Sequence, residues 1–123
     1  MESHGYLSFK WSNNILYVNA FGPFNDEGAK EAAEAYIKEV INKKSLSFSV
    51  VEMLDNESIG SPNTMNEVSK LWRFLGEHGC TSLGIIYSND IQRSLAEKYL
   101  PIFGKLFSKV EDAEKWFISR DTL

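Results

Sequence analysis

With 123 residues, 43% hydrophobic and 24% charged, the chain has the size and composition of one globular domain and is too apolar to be disordered. A net charge of −4 supplies no basic surface for a phosphate backbone, so nucleic acid is not an expected partner. Cys80 is the sole cysteine, which excludes an intramolecular disulfide and suits a reducing compartment.

Tyr6 to Trp11 and Ile15 to Phe21 read as two strands joined by Ser12-Asn13-Asn14, where asparagine tolerates the left-handed backbone of a tight hairpin. Both faces of the second run are mostly apolar, which places it inside the sheet. Gly22-Pro23-Phe24-Asn25 ends the pattern. Asn25 is an N-cap, and Asp26 and Glu27 set negative charge at the positive end of a first helix. Along that helix Ala29, Ala32, Ala33, Tyr36, Ile37, Val40 and Ile41 recur at three- and four-residue spacing and predict a sheet-facing stripe. Glu34 with Lys38 and Glu39 with Lys43 are expected i,i+4 pairs.

Ser47 to Leu54 predicts a third strand, followed by a polar loop from Asp55 to Gly60. Ser61-Pro62 opens a second helix that runs to about Glu77 and stops at Gly79. Met65, Val68, Leu71, Trp72 and Leu75 share one arc of it, with Phe74 outside the arc. Ser82 to Tyr87 is a fourth strand, and Ser88-Asn89 caps a third helix from Asp90 to about Leu100, with Asn89 and Gln92 at capping-box spacing. Ile102 to Phe107 closes the set of strands. Ser108 with Glu111 opens a last helix carrying Val110, Ala113, Trp116 and Phe117 inward. The order β-β-α-β-α-β-α-β-α predicts an α/β fold of one domain: a mixed, mainly parallel sheet of about five strands with four helices.

This order resembles the STAS domain of anti-sigma-factor antagonists. Three stretches carry the resemblance: Ile15 to Phe21 with Gly22-Pro23-Phe24, the strand–loop–helix from Val50 to Gly79, and the acid-rich closing helix from Phe107-Ser108 through Glu111-Asp112-Ala113. The resemblance places Ser61 on the family's phosphoacceptor position. Gly60, Pro62 and Asn63 stand where the family has aspartate, serine and glycine. It implies a non-catalytic regulatory module that binds a protein partner, a switch kinase being one candidate.

The residues set the remaining expectations. The loop from Asp55 and the start of the second helix form the expected partner surface, through Asp55, Glu57, Ser58 and Asn63, with Phe74 as an aromatic for a partner or for self-association. The simpler reading of Ser61 is a plain helix cap, with Pro62 in the first turn where its missing donor costs nothing. Glu52, Asp55 and Glu57 contain enough carboxylates for acid–base chemistry, but no histidine, lysine or cysteine lies nearby in sequence, and loop solvation is the simpler reading. His78 and Cys80 have only His4 as a further histidine, so no metal or cofactor is expected. The alternative to a protein partner is a small molecule or lipid in a pocket between sheet and helices. Met1 to Tyr6 lacks a basic start and an apolar run, and no stretch approaches the ~20 apolar residues that span a bilayer, so a cytoplasmic location is expected.

Overall fold

Asn13 and Asn14 reverse the chain between β1 (Tyr6–Ser12) and β2 (Ile15–Phe21), with Asn13 in the left-handed region at φ 53°. The computed structural model describes residues 3–58 and 62–121. After the hairpin come α1 (Asp26–Lys43), β3 (Phe48–Leu54), α2 (Pro62–Glu77), β4 (Cys80–Ile86), α3 (Asp90–Glu97), β5 (Gly104–Phe107) and α4 (Val110–Asp121). The strands lie side by side in chain order. β1 is antiparallel to β2, and β2, β3, β4 and β5 run parallel. Three crossovers of one hand, each stepping to the next strand, carry their helices to one face of the sheet. That face packs α1, α2 and α3. The other is covered by α4.

Strand alternation divides the apolar residues accordingly. Leu16 and Val18 of β2, Val50 of β3 and Leu83 and Ile85 of β4 meet Tyr36 and Val40 of α1 and Leu71, Trp72 and Leu75 of α2. Burying one such aliphatic side chain contributes roughly 1.5–3 kcal/mol, so this face holds most of the hydrophobic stabilisation. On the opposite face Val51 and Ile86 pack with Ala113 and Phe117 of α4. There Tyr17 Oη donates to Glu114 Oε2 at 2.5 Å; burial, reinforced by that bond, pushes the Tyr17 phenol up to about 12.

Helix ends follow local chemistry. Asn25 Oδ1 accepts from Gly28 N at 2.8 Å, the N-cap the sequence predicts, and the preceding Gly22-Pro23 bond is cis. Asn89 Oδ1 accepts from Gln92 N at 2.9 Å, but the Gln92 amide reaches one residue further back than a capping box, to Ser88 N at 2.8 Å.

Several boundaries and pairings differ from expectation. α3 stops at Glu97 rather than near Leu100, because Lys98 N and Tyr99 N close tight turns onto Leu95 O and Ala96 O. β5 begins at Gly104, since it pairs with β4 only from Leu83 onward; Ile102 is fully exposed. β4 starts two residues earlier than predicted, at Cys80, across an irregularity beside Phe48 and Ser49. Ile41 leaves the sheet-facing stripe and is 53% exposed. Glu39 does not pair with Lys43. Its Oε1 accepts from Trp11 Nε1 at 3.0 Å, while Lys43 Nζ lies 5.1 Å over the same indole. Among the described residues the ion pair within 4.0 Å is Lys70–Glu67, at 3.7 Å. No helix among the described residues is long and apolar enough to cross a membrane.

Candidate functional site

Gly22, at the end of β2, brings the loop after β3 against the first strands. A Cβ on Gly22 would stand 2.2 Å from Glu57 O, so only glycine permits this approach. Asp55 organises the loop. Its Oδ1 accepts from Gly22 N at 3.2 Å and Glu57 N at 3.1 Å, and the Ser58 hydroxyl lies 2.5 Å from it and 2.7 Å from Ala20 O. Burial acts to raise the Asp55 carboxyl, but the Ser58 hydroxyl and the N–H groups of Gly22, Glu57 and Ser58 outweigh it and hold it below its ordinary value. Gln92 Nε2 donates to Asp55 O at 2.5 Å, and Asn89 Nδ2 donates to Asn56 Oδ1 at 3.0 Å, which fastens the loop to α3 as well.

Of the residues expected on the partner surface, Asp55 and Ser58 therefore point inward, and their side-chain hydrogen bonds join the loop to Gly22 and Ala20. Glu57 and Asn63 are exposed. Phe74 is half-buried. It packs against the core beneath α2, and its ring stacks on His78 with centroids 3.9 Å apart. Ser61, with Ile59 and Gly60, lies outside the described residues. His78 Nδ1 is 2.9 Å from Phe74 O, and the buried Cys80 thiol, pushed up to about 12 chiefly by burial, faces Ser82 O.

The main correction concerns Glu52. It is not a solvated loop residue. In β3 it sits between Val18 on β2 and Ile85 on β4, both fully buried, and is itself only 6% exposed. Its side chain enters the α1–α2 side of the sheet, where Oε1 accepts from Tyr36 Oη at 2.9 Å and from Trp72 Nε1 at 3.3 Å. Burial pushes the Glu52 carboxyl above its usual range, and the two hydrogen bonds offset only part of that. Burial and the adjacent Glu52 hold the Tyr36 phenol well above its ordinary value, so Tyr36 remains a donor.

Glu52 forms part of the wall of a cavity of about 80 Å³ between the sheet and the helices. Ala29, Ala32 and Ala33 of α1 and Met65 and Val68 of α2 supply much of its apolar surface. The short alanine side chains leave the space that longer ones would fill. The charged residues among its lining are Glu52 and Glu67, and no lysine, arginine or histidine among the described residues lines it. A second recess, about 450 Å³, opens at the other end of the sheet between Phe48 and Phe117. Its rim residues Asn14, Ser47 and Thr81 are exposed, which makes it a solvated dent.

The sequence contained a signal for Glu52: Phe48, Val50, Glu52 and Leu54 alternate onto one face of a buried strand. Three alanines on the facing stripe of α1 were the corresponding signal for the cavity.

No protein-family model and no curated protein matches the chain. Solved structures do match. The protein TM1081, known from NMR, is similar with a TM-score of 0.68 at 14% identity, over 87% of this chain and 84% of that one. An uncharacterised DUF3478 protein of Shewanella loihica PV-4, described as having a SpoIIAA-like fold, gives 0.60 at 17% identity over 94% and 95% of the two chains. SLC26A9 gives 0.62 at 15% identity, where 95% of this chain corresponds to 24% of that one. The fold is SpoIIAA-like, that is, STAS-like.

Proposed function

We propose that this STAS-like domain is a non-catalytic binding module that holds a small, mainly apolar molecule in the cavity between its sheet and helices α1 and α2. The observation that carries this reading is the pairing of an apolar cavity with one buried polar group, Glu52, in its wall. Ligand sites combine mostly apolar walls with a few fixed polar atoms that orient the ligand. A carboxyl at the centre of a sheet opposes folding unless partnered, and Tyr36 and Trp72 hold this one in a single orientation. The test is an NMR amide titration with 1-hexanol, for wild type and for Ala33→Phe, which fills the space from α1. Saturable shifts around residues 33, 52 and 68 that vanish in the variant support the reading. Shifts that are absent, or unchanged in Ala33→Phe, contradict it.

A second reading, a regulatory module docking a protein such as a switch kinase, is favoured by the loop from Asp55 to Ser58. Its backbone is held against β2 and α3, with Glu57 and Asn63 exposed beside it. In this reading Ser61 is the phosphoacceptor. A pull-down from native lysate in which Glu57→Lys and Asn63→Lys retain every captured protein counts against the surface, and a Ser61 never found phosphorylated in the host counts against the switch.

A further inference from the structure

We infer that Glu52 makes the cavity selective for an uncharged amphiphile, a small alcohol or phenol whose hydroxyl docks on the Glu52 carboxyl, and against a carboxylate of the same length. The inference rests on the cavity being a binding site and adds the chemical class of its occupant.

Both hydrogen bonds that Glu52 receives fall on Oε1, leaving Oε2 with neither. Among the described residues no fully buried side-chain oxygen or nitrogen lacks a partner, so Oε2 is not sealed off, and the cavity is the space that Glu52 lines. Four other polar groups of the wall are already engaged. Tyr36 and Trp72 direct their protons to Oε1, Gln92 bonds Ser88 N and Asp55 O, and the Ser58 proton lies between Ala20 O and Asp55 Oδ1.

A hydroxyl is both donor and acceptor, so it satisfies Oε2 whether or not Glu52 carries a proton. A ligand carboxylate meets the buried Glu52 with no lysine, arginine or histidine among the described lining residues, and two carboxylates in one buried site disfavour a second charge. An ammonium pairs with Glu52 only by desolvating both charges, which the raised carboxyl already resists. At roughly 10–15 Å³ per water-sized site, the cavity of about 80 Å³ holds about five to eight heavy atoms.

The test is an NMR titration of the whole chain at pH 7 with 1-hexanol, hexylammonium and hexanoate, with benzene as an apolar probe without a polar head. The expected order is hexanol, then hexylammonium, then hexanoate, with hexanoate about ten-fold weaker than hexanol, a factor equal to ~1.4 kcal/mol. Glu52→Gln, which keeps size and shape, narrows the hexanol–hexanoate gap to about three-fold or less because the amide adds donors facing the cavity. Glu52→Leu weakens hexanol while leaving benzene bound, which shows the cavity intact. Hexanoate binding as tightly as hexanol, or hexylammonium binding tightest, overturns the inference and leaves the cavity reading standing. If neither benzene nor any six-carbon probe binds, both fall together.

Discussion

Tyr36 on α1 donates its hydroxyl proton to Glu52 on β3 across 2.9 Å in the fully buried space between helix and sheet. The bond fixes the carboxyl against the cavity wall and ties the first crossover helix to the middle strand. Its energetics depend on pH, because the acceptor carboxyl is more readily protonated in the fold than in the unfolded chain.

Tyr36→Phe removes this donor and leaves the packing largely unchanged. Loss of a hydrogen bond to a charged or partly charged buried group costs about 1–3 kcal/mol. The loss is smaller at pH 5 and larger at pH 8, where the carboxylate most needs the donor. Urea denaturation at the two pH values measures it, and equal losses would show that Glu52 does not change protonation over that interval.

Glu52→Gln is expected to raise the melting temperature at pH 8 by a few degrees, a gain that disappears towards pH 4. The sign follows from linkage. A carboxyl whose folded value is raised binds its proton more tightly in the fold. Stability is therefore full below the unfolded value and falls as pH rises towards the folded one. Glutamine has no charge to desolvate, so the variant lacks this fall. Parallel melting curves for both proteins across pH 4–8 would refute the assignment.

Gly22→Ala drives a Cβ into the Glu57 carbonyl at 2.2 Å, a backbone atom that cannot rotate aside. Overpacking of this kind costs about 1–3 kcal/mol. The accompanying amide shifts should concentrate at residues 55–58 and at Gln92, whose amide holds Asp55 O. Wild-type stability, or shifts spread evenly over the sheet, would contradict the close approach.

Phe74→Ser tests whether that ring serves the fold or a surface. Its packing against the core and its stack on His78 predict a loss of about 2 kcal/mol, below the ~3–5 kcal/mol of a fully buried phenylalanine, with an unchanged elution volume. A stable variant with altered elution would instead make Phe74 a contact between copies of the chain.

The order of elements was legible because it depends on local chemistry: Asn13 in the hairpin, Asn25 and Asn89 as caps, and the apolar arc of α2 are all found where the sequence places them. What could not be read depended on the third dimension. Sequence proximity groups Glu52 with Asp55 and Glu57, although β3 carries Glu52 into the core and ends at Leu54, before the two loop carboxyls. Asp55 and Ser58 resembled a partner surface because they are polar. Their bonds to Gly22 and Ala20 come from residues 33 and 38 positions away. The sequence places the end of α3 near Leu100 because Pro101 is the visible stop signal, whereas the chain turns three residues earlier on its own carbonyls.

The central claim, that the space beside Glu52 is a ligand site, is tested most directly by isotope-filtered NOE spectroscopy on the labelled chain with unlabelled 1-hexanol. The account predicts NOEs from the ligand methylenes to the methyls of Ala33, Met65 and Val68, residues that line the cavity. NOEs confined to exposed apolar side chains such as Leu46 and Ile102, or none at saturating ligand, would contradict it.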